Sequence, residues 1–195
     1  NQLLKEASSK PGAPVYYVIS LRKGEKKVMS DNKIASLHLM ELTTELAGLL
    51  IDKDLKISVA ESCTGGLIAK TMTDLAGSSQ WFELGVVSYS NSAKGEILGV
   101  SPLLLESQGA VSEPVAMAMV QGVVDLSRTN VGVSVTGIAG PGGGSKEKPV
   151  GTVCFGFLDP NSGLEAKTVL FPGDRGNIRL QAVDFALQHI ISFLR

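Results

Sequence analysis

From residue 33 to its end the sequence alternates helix-type and strand-type hydrophobic patterns, and this alternation limits the possible folds more than any single motif. Ile34, Leu37, Met40, Leu46, Leu49 and Leu50 recur at helical spacing. A short strand over 56–60 leads through a Gly-rich turn into a helix over 67–75, with Gly77 placed to end it. A strand over 85–90 follows, then short helices over 92–98 and 102–107. Ser112-Glu113-Pro114 combines an N-capping hydroxyl with an acid and a proline in the first turn. The helix it opens runs to about 127, is apolar on most faces and is expected to be buried. A strand over 131–135, a Gly-rich loop over 137–144, and strands over 150–158 and 164–171 come next. The last two strands are joined by the turn composition Asp159-Pro160-Asn161-Ser162-Gly163, and a helix over 177–194 closes the chain. Strands separated by helices favour parallel pairing, and the one hairpin adds an antiparallel edge. The expected class is α/β: a three-layer α/β/α sandwich around a mixed sheet, with one domain over 33–195.

Residues 1–32 differ from the rest. Lys-Pro-Gly-Ala-Pro at 10–14, the apolar run 15–19 and the basic stretch 22–27 precede Met29, which reads as a natural start. We read 1–28 as an upstream extension, with a β-strand arm over 15–21 as the alternative by its β-branched and aromatic content. A formal net charge of −1 offers no overall field for nucleic acid or an anionic membrane. No apolar run reaches a membrane span of roughly 18 residues, and no secretory leader is visible, so a cytoplasmic protein is expected. Two cysteines, Cys63 and Cys154, and two histidines, His38 and His189, are too few and too scattered for a disulfide framework or a metal centre.

In a doubly wound sheet, ligands collect at the carboxyl ends of the strands. Three such loops, 61–66, 90–94 and 136–144, are also the segments richest in Ser, Thr, Gly, Asn and Lys. In Glu61-Ser62-Cys63-Thr64-Gly65-Gly66 the serine stands where a strand turns into a helix, and open N–H groups there suit an oxyanion or a phosphate. An N-cap explains the same residues, and Cys63 is a rival nucleophile. In Tyr89-Ser90-Asn91-Ser92-Ala93-Lys94 a lysine follows the strand end by about one helical turn. A serine nucleophile needs a base, and a desolvated lysine can be one. The Gly-rich loop fails as a Walker A motif, because Ser145 precedes Lys146, and its Gly-x-Gly-x-x-Gly register ends on Ser145. Lys146-Glu147-Lys148 reads as its solvated edge. Asp174 reads as the N-cap of the last helix. Arg175 stands against that helix dipole unless it meets an anion, and Arg179, one turn on, shares that role or covers apolar surface.

These segments together resemble the carboxy-terminal domain of the competence/damage-inducible CinA family, over about 45–195. The matching stretches are 60–66, Ala76-Gly77-Ser78-Ser79 with Trp81-Phe82, Tyr89-Ser90-Asn91 with Ala93-Lys94, 109–114, Thr136-Gly137-Ile138-Ala139-Gly140-Pro141, and 148–153. Residues 1–32 are too short to hold the separate amino-terminal domain of the longer family members. Stand-alone members are nicotinamide-nucleotide amidases, so the resemblance implies hydrolysis of the carboxamide of nicotinamide mononucleotide to nicotinate mononucleotide and ammonia. It implies Ser62 as nucleophile, Lys94 as base and Tyr89 as proton partner, with no metal or organic cofactor. Around them we expect an oxyanion hole in the N–H groups of Thr64, Gly65 and Gly66, and a site shaped by Asn91, Thr136 and Gly137. Arg175, with Arg179 as second candidate, would hold the phosphate or ribose end. Glu61 would favour the cationic ring or serve as a structural hydrogen-bond partner. A small pyridine nucleotide is the expected partner, with neither nucleic acid nor membrane. The apolar helix over 113–127 and an exposed-looking Trp81-Phe82 pair suggest a homodimer surface, with burial inside one subunit as the equal alternative. Two alternatives stand: an amidase that uses Cys63, and a non-catalytic nucleotide-binding module.

Overall fold

The structure, a computed structural model, describes the backbone of residues 3–6, 16–20 and 26–195, with side chains from residue 35 onward. Contacts divide the chain into two units, Asn1–Glu41 and Leu42–Arg195. In the first, β1 (Leu3–Glu6), β2 (Tyr16–Ser20) and β3 (Lys26–Ser30) form an antiparallel sheet in the order β1-β2-β3. Leu3 lies opposite Ile19, and Tyr16 opposite Ser30. Residues 16–20 are therefore strand, within the 15–21 segment read for β-strand content. Residues 10–15 and 22–25 lie outside the described residues. Helix α1 (Asp31–Asp52) begins at the end of β3 and continues into the second unit, where Leu46 and Leu50 are fully buried.

The second unit is built on β4 (Ile57–Glu61), β5 (Phe82–Val87), β6 (Val131–Gly137), β7 (Thr152–Asp159) and β8 (Gly163–Leu170), in the order β5-β4-β6-β7-β8. β4 runs parallel to both β5 and β6, while β7 and β8 are antiparallel additions. The helices are α2 (Leu67–Thr73), α3 (Asn91–Leu98), α4 (Pro102–Gln108), α5 (Glu113–Ser127) and α6 (Arg175–Leu194). β7 shows which helix covers which face. The site of a Gly156 side chain is taken by the Ala116 carbonyl of α5, 2.4 Å from where a Cβ would stand. Its neighbours Phe155 and Phe157 point the other way, onto Phe185 and His189 of α6, with ring centroids 4.8 and 4.3 Å apart. Adjacent strand residues face opposite sides, so α5 and α6 lie on opposite faces of a mixed sheet: the α/β class and the three layers read from the sequence.

Helix α5 is the keystone of its layer. Val115, Met119, Val120 and Val123 are completely buried, with Ala60, Leu98, Val100 and Leu105 in the same cluster. Each such Val or Met contributes about 1.5–3 kcal/mol by leaving water. α3 approaches α5 closely because residue 122 is glycine: a Cβ there would meet the Leu98 carbonyl at 2.0 Å. Burial of this kind bears out one sequence reading and corrects another. α5 packs within the subunit, and Trp81 is 1% exposed, its carbonyl accepting from Ile57 N at 2.8 Å. Trp81 and the inner face of α5 are thus interior to one subunit, while Phe82 is half-buried and Leu126 of α5 is exposed. A second correction concerns Ser112, which stands at the N-cap of α5 without capping it; its hydroxyl donates to the Gly109 carbonyl at 2.9 Å. β5 begins at Phe82, three residues before its sequence-read start, because its exposure alternates along an edge strand and leaves no apolar run to read. Among the described residues no helix is long and apolar enough to cross a membrane.

The topology places the site. β4 and β6 are neighbours, yet β4 sends its connection towards β5 and β6 sends its own towards β7. A crevice opens at the carboxyl ends of two strands whose connections diverge. Ser62 is the first residue beyond β4, and its N–H still donates to the Val135 carbonyl of β6 at 2.9 Å.

Candidate active site

The crevice holds a pocket of about 200 Å³ lined by Ser62, Cys63, Tyr89, Asn91, Lys94, Ala110, Val111, Thr136, Gly137, Ala139 and Arg175. This is smaller than the ~300–1,000 Å³ of sites that enclose a drug-sized ligand, so it suits a ring-sized group with the rest of a molecule outside. Asn91 also borders a groove of about 600 Å³ that runs between α3 and α4.

At the pocket floor Lys94 Nζ donates to Ser62 Oγ at 3.0 Å. The two residues are 32 positions apart, joined because α3 begins just beyond the end of β5 and β5 lies beside β4. The lysine reaches inward from the first turn of α3, whose N-cap Ser90 accepts from Ala93 N at 3.1 Å. Nζ also donates to the Ser88 carbonyl at 2.8 Å and, more weakly, to the Tyr89 carbonyl at 3.5 Å. Lys94 is 1% exposed, and burial holds its pKa below the ordinary lysine value, with the neighbouring Cys63 working the other way. A neutral amine has two N–H donors and one lone pair. In that form, with the Ser88 and Tyr89 carbonyls as acceptors for the two N–H groups, the lone pair would be left for the Ser62 hydroxyl. Carbonyl acceptors carry no side-chain signature, so sequence reasoning did not find them.

Cys63 is a poor rival. Its thiol is buried and its pKa is pushed up to about 12, mainly by desolvation. A thiol in that state supplies almost no thiolate near neutrality.

The turn that presents Ser62 is braced from both sides. Glu61 is fully buried, and its carboxylate accepts from the N–H groups of Gly66 at 3.0 Å, Ile68 at 3.1 Å and Ala69 at 2.8 Å. It caps α2, whose own N-cap residue is Gly66 in the left-handed conformation, φ 93°, with no side chain to do so. Of the two roles left open for Glu61, the structure shows the structural one; the carboxylate is directed at α2 and is not part of the pocket lining. A helix start lacking Ser, Thr, Asp or Asn, five residues after a strand-end acid, was the available signal. From α6, Arg179 donates to the Thr64 carbonyl through Nε at 3.1 Å and again through Nη2. That guanidinium holds the turn, a role the sequence reading did not assign to it. Two of the three amides in the oxyanion reading have partners inside the turn. Gly65 N donates to the Ser62 carbonyl at 3.1 Å and Gly66 N to Glu61, so both are engaged within the turn. The backbone amides of Cys63 and Thr64 draw the Cys63 thiol's pKa down against the effect of burial.

Above this floor, Tyr89 is 62% exposed and its hydroxyl accepts from Arg175 Nη2 at 3.1 Å. Arg175 Nη1 donates to the Gly140 carbonyl at 2.8 Å, so one guanidinium joins Tyr89 to the Gly-rich loop at the pocket mouth. Asp174 caps α6, accepting from Asn177 N at 2.8 Å, and the helix starts at Arg175, two residues earlier than the sequence suggested. Thr136 is buried and donates to the Ala110 carbonyl at 2.8 Å. Gly137 lets β7 pass close by, since a Cβ there would stand 2.8 Å from the Thr152 carbonyl. Lys148 departs from its reading as solvated edge: its Nζ turns onto the carbonyls of Val111 at 2.6 Å and Gln108 at 3.2 Å.

An α/β sheet with a buried Ser–Lys pair at its switch point defines the class of site. Comparison with known proteins then supplies the family. The CinA C-terminal domain profile matches residues 39–194, and the chain belongs to that family. It is 54% identical over 151 residues to the nicotinamide-nucleotide amidohydrolase PncC of Enterobacter agglomerans, covering 77% of this chain and 92% of the relative. To the protein of the same name from Escherichia coli K12 it is 47% identical over the same coverage. Among solved structures, the competence/damage-inducible protein CihA of Agrobacterium tumefaciens superposes with a TM-score of 0.78 at 42% identity, over 81% of this chain and 96% of that one.

Proposed function

We propose that the protein hydrolyses the carboxamide of nicotinamide mononucleotide to nicotinate mononucleotide and ammonia. The observation that carries this reading is the buried Lys94 amine hydrogen-bonded to Ser62 Oγ at 3.0 Å inside a ring-sized pocket. The names of the relatives supply the substrate. Lys94 takes the Ser62 proton as Oγ attacks the amide carbon, and the amides of Cys63 and Thr64 receive the oxyanion. The tetrahedral adduct collapses as ammonia leaves with a proton returned from Lys94. Water, deprotonated by the same amine, then cleaves the acyl-serine to the carboxylate and frees Ser62.

Tyr89 acts as proton partner once its hydroxyl leaves Arg175, which a substrate phosphate claiming that guanidinium brings about. Asn91, Thr136 and Gly137 shape the walls. No step requires a metal or organic cofactor. Such an enzyme works in the cytoplasm on a small nucleotide, without nucleic acid or membrane.

The test is ammonia release from nicotinamide mononucleotide by wild type and by Ser62→Ala, with circular dichroism to verify folding. Turnover in the wild type and its loss in a folded variant are expected. A folded wild type that releases no ammonia refutes the substrate, and full activity in Ser62→Ala refutes the nucleophile.

A further inference from the structure

The segment between α4 and α5 supplies one wall of the pocket through Ala110 and Val111. It belongs to no sheet. What holds it is a run of side-chain donors on four consecutive carbonyls. Gln108 accepts from Lys148 Nζ at 3.2 Å, Gly109 from Ser112 Oγ at 2.9 Å, Ala110 from Thr136 Oγ1 at 2.8 Å, and Val111 from Lys148 Nζ at 2.6 Å. Two of the four bonds come from one ammonium, and a charged donor makes a hydrogen bond roughly twice as strong as a neutral one.

Lys148 is itself fixed by the turn it ends. Ser145 N donates to the Lys148 carbonyl at 2.9 Å, and Lys148 N donates to Ser145 Oγ at 3.1 Å. The ammonium thus ties the Gly-rich loop after β6 to the loop before α5. An apolar wall of Ala and Val beside Ser62 suits the flat face of an aromatic ring, and its distance from Ser62 sets how the ring is held.

We propose that Lys148 is a positioning residue for the substrate ring, acting through the Ala110–Val111 wall and not by touching substrate. The proposal rests on the amidase reading for its kinetic arm alone. Lys148→Met keeps the stem and removes the donors. Hydrogen exchange at amides 109–112 should then accelerate, and KM for nicotinamide mononucleotide should rise roughly tenfold with kcat changed by less than about threefold. Lys148→Arg restores a cationic donor and should return both values towards wild type. Should Lys148→Met fail to fold, Lys148→Gln, which keeps a neutral donor, should show intermediate exchange and KM.

Unchanged exchange at 109–112 in a folded variant overturns the clamp. Faster exchange with an unchanged KM overturns its bearing on substrate. A wild type without turnover sinks the substrate assignment instead, and the exchange comparison still decides whether Lys148 holds the wall.

Discussion

Glu61→Gln separates the two roles that the sequence left open for this acid, and the structure sets the magnitude. One carboxylate oxygen serves Gly66 and Ile68, and the other serves Ala69. The better amide orientation keeps its carbonyl on the first two and sets its NH2 against the Ala69 N–H, leaving that donor orphaned. An unsatisfied donor of this kind costs about 1–3 kcal/mol, and two charge-assisted bonds becoming neutral lose about 1 kcal/mol each. Removing a buried charge returns part of that, so we expect a net loss of about 2–4 kcal/mol. In a chain of this size that lowers Tm by roughly 5–15 °C. Urea unfolding at neutral pH, followed by circular dichroism, measures it, with an unchanged m-value as the sign that only the native state moved. Ammonia release should fall too, because Ser62 is the next residue. A variant within about 0.5 kcal/mol of wild type, a size ordinary for surface substitutions, would refute the capping argument. If that same variant showed a raised KM, Glu61 would instead be serving the cationic ring.

Lys94→Met should lower kcat by about 10²–10⁴-fold, the usual contribution of a positioned base. In wild type, activity should climb with pH as Lys94 loses its proton, along a limb that lies below the ordinary lysine value of ~10.4 because burial lowers this group. The sign for stability is the same. Between the lowered folded pKa and the unfolded one, the unfolded chain binds more protons, so stability rises with pH there, and Lys94→Met should lose that slope in unfolding titrations. Cys63→Ala should keep at least about half of wild-type kcat, since a thiol with its pKa pushed up to about 12 is no nucleophile near neutrality; loss of acyl-enzyme by mass spectrometry in that variant would reverse this. Arg175→Ala should raise KM for nicotinamide mononucleotide about ten- to a hundredfold, the loss of a charged hydrogen bond, and leave nicotinamide riboside unaffected. Equal effects on both compounds would show that Arg175 acts on Tyr89 alone.

The fold was legible because hydrophobic period is local. Alternating helical and strand patterns between 33 and 195 placed the helices and strands of the second unit, and the composition of 159–163 placed the hairpin. The misplaced start of β5 came from an edge strand exposed at every second residue, where the apolar signal is half strength. Trp81 was misjudged for a related reason: no spacing shows that a tryptophan beside a turn is sealed under its own subunit.

Within the site, the dividing line is contact range. Three motif-rich loops with the strand end before one of them located Ser62, Lys94, Tyr89 and Thr136, the start of the last helix located Arg175, and all five line one pocket. Their side chains differ in what they reach. Arg179 serves a carbonyl 115 positions away, and Lys148 serves two that lie 37 and 40 positions away. The acceptors are main-chain oxygens, identical at every residue, so nothing in the sequence distinguishes an arginine that holds a loop from one that awaits a phosphate.

By itself, then, the sequence determined the order of elements, the loops that carry polar chemistry, and the kinship of the chain. Only the tertiary structure decided which cations are committed to the scaffold and which face the pocket. It also decided that Lys94 is buried beside Ser62, with its pKa held below the ordinary lysine value. Burial and hydrogen-bond partnership are properties of groups brought together from distant segments, and they arise only once the sheet has set those segments side by side.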